Sequence, residues 1–108
     1  MKIEGEAYLL RIFLGEDDRI DGKPAYKKIV EVLREKDIAG ATVFRGILGY
    51  GASSRIHYAG LLTLSSDLPI VIEAVDRVEK IEKVIPEIEG FIKQGLITLE
   101  KVRVIKYV

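Results

Sequence analysis

The 108-residue sequence contains no cysteine, no tryptophan and no asparagine, and His57 is its only histidine. Without cysteine there are no disulfides, no thiolate nucleophile and no sulfur-ligated metal, and one histidine cannot build a multi-histidine site within one chain. We therefore expect no metal site. One glutamine and one methionine stand beside abundant charges of both signs, a pattern typical of heat-adapted proteins, which favours a thermophile as the source.

The chain also lacks an excess of charge and a long apolar run. Its 17 basic and 17 acidic side chains cancel, so no overall field attracts nucleic acid. No apolar segment is long enough to span a bilayer, and the first residues lack the apolar centre of a signal peptide. We expect a cytoplasmic protein without a nucleic-acid partner.

What is present is a mixture of 48% hydrophobic and 31% charged residues, which predicts one folded domain over residues 1–108. Alternating or β-branched apolar positions predict strands, and apolar positions spaced by three and four predict amphipathic helices. The predicted elements are strands at residues 6–14, 41–48, 69–75 and 97–108, and helices from Pro24 to about residue 36 and from Asp76 to Gly95.

Several residues mark where the predicted helices and strands begin and end. Pro24 suits a first helical position, and Asp76 followed by Glu79 predicts a capping box at the second helix. Pro86 should kink or split that helix, and Gly95 should stop it. The last segment carries a charge at every second or third position, which is typical of an edge strand.

The order β-α-β-β-α-β predicts an α+β fold of the ferredoxin-like type. Two interleaved right-handed βαβ crossovers give a four-stranded antiparallel sheet with both helices on one face. The first two strands are apolar on both sides, so the face without helices would be a large exposed apolar patch. From burial alone we expect a homo-oligomer.

A glycine-rich stretch, ATVFRGILGYGASSRIHYAG at residues 41–60, contains the candidate binding site. Glycine lets backbone N–H groups approach a ligand closely, and arginines beside such a loop favour a phosphate or carboxylate. A mobile hairpin with solvated arginines explains the same pattern. The candidate contacts for a nucleotide or another anion are Arg45, Gly46, Gly49, Tyr50, Gly51, Arg55 and His57.

Five segments, in chain order, resemble the domain-of-unknown-function 190 family, which looks like a branch of the PII-like signalling proteins. They are LRIFLGE at 10–16, AGATVFRGI at 39–47, GYG at 49–51, IH at 56–57 and LSSDLPIV at 64–71. The resemblance implies a ferredoxin-like protomer, a homotrimer and ligand clefts between subunits. It also implies a mobile loop at about residues 49–60 that reports ligand state to a regulatory target, such as a membrane transporter or an enzyme.

The GYG motif is similar to the glycine-rich base of the mobile loop in PII proteins, so the resemblance implies that Gly49 and Gly51 contact a nucleotide. The chain departs from PII proteins at their second phosphate-binding loop, where it has only KQGLI at 93–97. That departure favours AMP, ADP or cyclic AMP, without a metal, over a triphosphate. The loop also lacks the PII modification motif, so tyrosine nucleotidylation is unsupported.

Within this stretch, Arg45 has a second interpretation as an intersubunit ion pair with an acidic residue such as Glu16. His57 fits a packing role as well as a ligand contact, and Tyr50 fits loop anchoring as well as base stacking. Catalysis is less favoured: acylphosphatase-like chemistry needs an asparagine, and serines beside His57 on one loop do not form a triad. We therefore predict no catalytic residues.

Two further classes of protein share features with this sequence. RNA-recognition modules have the same topology, but they need a basic surface and exposed aromatic residues on the sheet. A trimer that acts as an adaptor without any ligand is compatible with every pattern described above. A small phosphate-ester hydrolase remains the enzymatic alternative.

Overall fold

The structure, a computed structural model, describes residues 5–51, the backbone of 57–58, and residues 67–108. In chain order its elements are β1 (Gly5–Gly15), β2 (Arg19–Ile20), β3 (Lys23–Pro24), α1 (Ala25–Glu35), β4 (Ala41–Arg45), β5 (Leu48–Gly49), β6 (His57–Tyr58), β7 (Pro69–Asp76), α2 (Val78–Phe91) and β8 (Leu96–Val104). In the part of the chain so described, no helix is both long and apolar enough to cross a bilayer.

The four longer strands form one antiparallel sheet in the order β4-β7-β1-β8. The predicted ferredoxin-like α+β fold is confirmed, with two helices on a four-stranded sheet. β8 lies at one edge of this sheet, as its repeated charges indicated, because an edge strand can keep charged side chains in water.

The core lies between the sheet and the two helices. In β1, Leu10, Ile12 and Leu14 alternate onto the helix side, because successive strand residues point to opposite faces. They pack with the apolar stripes of α1 and α2, represented by Ile29 and Ile81, both fully buried. The alternation of β1 and the helical spacing of the apolar residues thus specify one shared core.

The strand β4 is shorter than predicted. It ends at Arg45 rather than at residue 48, and the chain bends at Ile47. The Gly46 N–H donates to the carbonyl oxygen of Pro69 at 2.7 Å, and a Cβ on Gly46 would lie 2.7 Å from the Pro69 ring. Leu48 and Gly49 pair instead with residues 57–58 in a separate short hairpin.

The start of α2 also differs from the prediction. Arg77 is the N-cap residue and no side chain caps the helix, so the predicted capping box of Asp76 and Glu79 is wrong. Asp76 is instead the last residue of β7 and is fully buried. Its carboxylate accepts from the N–H of Ala39, in the segment between α1 and β4, and lies 3.7 Å from Lys80 of α2.

The later part of the chain departs from the predicted boundaries in three places. Pro86 lies inside α2, so of the predicted kink or split the split is wrong, and the helix ends at Phe91, before Gly95. β8 ends at Val104 rather than at residue 108. Beyond it, the hydroxyl of Tyr107 donates to the carbonyl of Ala39 at 3.0 Å.

Candidate functional site

A cleft of about 390 Å³ lies at the end of the sheet where β1 finishes and β7 and β8 begin. Three segments that are distant in sequence form it: the turn after β1, the base of the glycine-rich stretch, and the turn before β8. These segments, together with Asp67 two residues before β7, contribute the following residues to its wall: Gly15, Asp18, Gly49, Tyr50, Gly51, Asp67, Gln94 and Gly95.

Glycines, which have no side chain, give the cleft its shape. A Cβ on Gly95 would lie 2.4 Å from the carbonyl oxygen of Phe13, so the turn before β8 can approach β1 only with glycine there. A Cβ on Gly49 would lie 3.0 Å from the ring of Pro69. At Gly51 a Cβ would meet nothing within 4 Å, which means that this residue faces open space at the cleft.

Tyr50 stands between these two glycines with 73% of its surface exposed. Its ring is not committed to the core, so it is available to stack on a flat ligand at the cleft. The structure thus brings three of the sequence-predicted contacts, Gly49, Tyr50 and Gly51, to one wall of one cavity.

Arg45 and Gly46 do not line the cleft. The guanidinium of Arg45 forms an ion pair with Glu16, with its Nη2 atom 2.7 Å from Oε2. The two residues belong to the same chain, so the predicted intersubunit form of this pair is not what the structure shows. The N–H of Gly46 already donates to Pro69, which leaves it unavailable to an anion.

Two of the predicted contacts lie at the limit of what the structure describes. The backbone of His57 pairs with that of Gly49, which brings it beside the base of the cleft. Arg55 lies outside the described residues, and so does most of the predicted loop at residues 49–60.

The cleft contains two carboxylates that the sequence did not predict as contacts. The N–H of Gly15 donates to Asp18 Oδ2 at 3.0 Å, and the N–H of Asp17 donates to Asp67 Oδ1 at 2.8 Å. No local sequence pattern signals this pair: the register that pairs Gly15 with Pro69, seen only in the folded chain, brings the residues next to both strand ends together. The cleft-lining residues that the structure describes include no lysine or arginine.

No group of three or more histidine, cysteine, aspartate or glutamate residues suited to a metal ion occurs among the described residues. The two cleft carboxylates are each already engaged by a backbone N–H group. Carboxylate acceptors beside the exposed ring of Tyr50 suit a ligand that has hydrogen-bond donors and a flat ring.

The sheet face without helices adjoins this cleft. It carries an apolar rim, in which Phe44 and Leu96 are 50% and 55% exposed. At its centre Arg11 donates to Glu73 at 2.8 Å and to Glu100 at 3.1 Å, which joins three strands. The hydrogen bond to Glu73 raises the pKa of Arg11 above its ordinary value, while burial opposes the rise.

Two relatives match nearly the whole chain. A UPF0166 protein of Aquifex aeolicus is 50% identical over 97 residues, which cover 90% of this chain and 91% of the relative. The UPF0166 protein MJ1524 of Methanocaldococcus jannaschii is 39% identical over 102 residues and covers 94% of both. The described cleft residues belong to the part of the chain that these relatives share.

Solved structures resemble this fold at low sequence identity. CPII, a nitrogen regulatory PII-like protein from Thiomonas intermedia K12, was solved bound to ADP, AMP and bicarbonate. It matches with a TM-score of 0.70 and 18% identity, covering 92% of this chain and 88% of its own. The divalent ion tolerance protein CutA1 from Ehrlichia chaffeensis matches with a TM-score of 0.60 and 15% identity, covering 98% and 87%. At these identities the likeness shows the fold alone.

The family identity rests on the sequence itself. The model of the DUF190 family, described as "Uncharacterized ACR, COG1993", matches residues 7–104, from the first strand of the sheet to the end of the last. The segments that carried the resemblance lie inside this match. The chain therefore belongs to the DUF190 (UPF0166) family, with a PII-like ferredoxin fold.

Proposed function

We propose that this protein is a PII-like regulatory protein that binds an adenine nucleotide in the cleft at the end of its sheet. The observation that carries the proposal is the convergence of Gly49, Tyr50 and Gly51 with Gln94 and Gly95 around one cavity of about 390 Å³. That volume is in the range of small-ligand sites. CPII, which has the same fold, was solved with ADP and AMP.

The favoured ligands are AMP, ADP and cyclic AMP. The turn before β8 contributes Gln94 and Gly95 to the cleft, and neither carries a charge. A triphosphate needs several cations or a metal for its neutralisation, and the described cleft wall supplies neither. A nucleotide with one or two phosphate groups therefore suits the site better than a triphosphate.

Each predicted contact has a role in this proposal. Gly49 and Gly51 admit the nucleotide, and Tyr50 stacks on its base. Arg45 and Arg55 neutralise the phosphate, and His57 donates to phosphate or ribose. Gly46 fixes the base of the loop against Pro69.

The assembly in this proposal is a homotrimer. The face without helices exposes apolar side chains around a paired ionic centre, a composition that fits an interface with copies of the same chain. The cleft adjoins this face through Phe13 and Leu96, so a neighbouring subunit would complete its wall. The loop at residues 49–60 then reports ligand state to a target such as a membrane transporter or an enzyme.

The nucleotide site is tested at Gly51. We expect Gly51→Leu to lower the affinity for AMP, ADP and cyclic AMP by about 10- to 100-fold, because the added side chain fills space that the ligand needs. Titration calorimetry on the purified protein measures the three affinities.

The matched control is Gly40→Leu. Gly40 is also exposed, also has nothing within 4 Å of a built Cβ, and lies away from the cleft. It should bind nucleotide like the wild type. Absence of binding of all three nucleotides by the wild-type protein would overturn the proposed function.

The homotrimer is tested on the face without helices. We expect the wild-type protein to sediment with the mass of three 12.1-kDa chains. Val71→Lys, which introduces a charge among the apolar residues of this face, should shift the protein towards single chains. Ile105→Lys, the same kind of change at a residue 75% exposed beyond the end of β8, is the control and should leave the mass unchanged. A monomeric wild-type protein would exclude an intersubunit site.

A further inference from the structure

The wall of the cleft that the structure describes is acidic, whereas a nucleotide carries its charge as phosphate. Among its lining residues Asp18 and Asp67 are the carboxylates, and the described lining includes no lysine or arginine. A phosphate placed against this wall would be repelled. The part of the ligand that meets the two aspartates must therefore be uncharged and rich in hydrogen-bond donors.

The two carboxylates are held in position by the backbone. Asp18 accepts from the N–H of Gly15 through Oδ2, and Asp67 accepts from the N–H of Asp17 through Oδ1. Gly15 has no side chain to separate these groups: a Cβ there would lie 2.6 Å from Asp67 Oδ1. Each aspartate is thus held at the cleft by a backbone hydrogen bond, and a carboxylate has further lone pairs with which to accept from a ligand.

We infer that Asp18 and Asp67 bind the ribose hydroxyl groups of the ligand and so select ribonucleotides over deoxyribonucleotides. Two neighbouring hydroxyls are the donors that a pair of carboxylates recognises, and each such hydrogen bond to a charged acceptor is strong. The phosphate would then lie away from these two carboxylates. This inference rests on the proposed function, because it assigns one wall of the same cleft.

The experiment compares AMP with 2′-deoxy-AMP by calorimetry on the full chain. The wild-type protein should bind AMP about tenfold more tightly or better, since the deoxy compound lacks one donor. Asp67→Asn and Asp18→Asn can each still accept the backbone N–H through the amide oxygen, but their second group becomes a donor. Both variants should lose most of the discrimination.

Asp17→Asn is the matched control. Asp17 is an exposed neighbour on the same turn, its side chain does not line the cleft, and its backbone N–H is unchanged by the substitution. It should discriminate like the wild type. Equal affinity of the wild type for AMP and 2′-deoxy-AMP would overturn this inference and leave the proposed function standing. Binding of neither nucleotide, nor of ADP or cyclic AMP, would overturn both.

Discussion

Replacing Asp76 with alanine should lower the free energy of unfolding by about 3–5 kcal/mol, the usual loss when one partner of a buried charged network is removed. Asp76 is fully buried, and its two oxygens accept from the N–H of Ala39 at 2.9 Å and from the N–H of Arg77 at 2.6 Å. Lys80 lies 3.7 Å from the same carboxylate and also donates to the carbonyl of Asp37. One carboxylate thus joins β7, α2 and the segment before β4.

The alternative, that Asp76 is an ordinary helix cap, predicts a smaller loss of about 1 kcal/mol. Glu79 separates the two explanations. It is 68% exposed and its nearest cation, Arg77 Nε, is 3.7 Å away, so Glu79→Ala should change stability by less than about 0.5 kcal/mol. Urea unfolding at one fixed protein concentration measures both variants, since an oligomer's stability depends on concentration. Equal, small losses would restore the capping box.

Replacing Gly95 with alanine should cost about 3 kcal/mol or more, because the new methyl group would overlap the carbonyl oxygen of Phe13. That oxygen belongs to β1 and cannot move freely, since Phe13 is paired with both Leu96 and Val71 in the sheet. The turn before β8 must shift instead, and this turn forms part of the cleft wall. We therefore expect weaker AMP binding even at temperatures where the variant is folded.

Gly90→Ala is the control for this change. Gly90 lies in the last turn of α2 and a Cβ there meets nothing within 4 Å, so alanine should stabilise the protein by about 0.5–1 kcal/mol. Thermal unfolding and calorimetry on both variants give the two readouts. A Gly95→Ala variant as stable as the wild type would show that β8 can move away from β1.

Much of the fold was predictable because local patterns carry it. The alternation in β1 and the β-branched run of β7 specify strands, and the spacing of Ile29 and Leu33 specifies the buried side of α1. The charges of β8 identified an edge strand, which the sheet order confirms. Each of these patterns lies within a single strand or helix, so it can be recognised without knowing the tertiary structure.

The candidate site was predictable only in part. The glycines and tyrosine of the GYG motif were found because glycine itself signals close approach of the backbone. Asp67 was not, since its position in the cleft depends on the pairing of β7 with β1, some fifty residues earlier in the chain. For Arg45 the sequence left a ligand contact and an intersubunit ion pair with Glu16 as alternatives, and only the folded chain shows the pair with Glu16 of the same chain.

The sequence by itself determined the fold class, the buried faces of its main elements and the glycine-rich base of the site, because periodicity and backbone freedom are properties of short segments. Only the tertiary structure decided that β4 stops where Gly46 meets Pro69, that Asp76 is a buried connector, and that two aspartates line the cleft. These features depend on contacts between segments far apart in the chain, and no local spacing encodes such a distance.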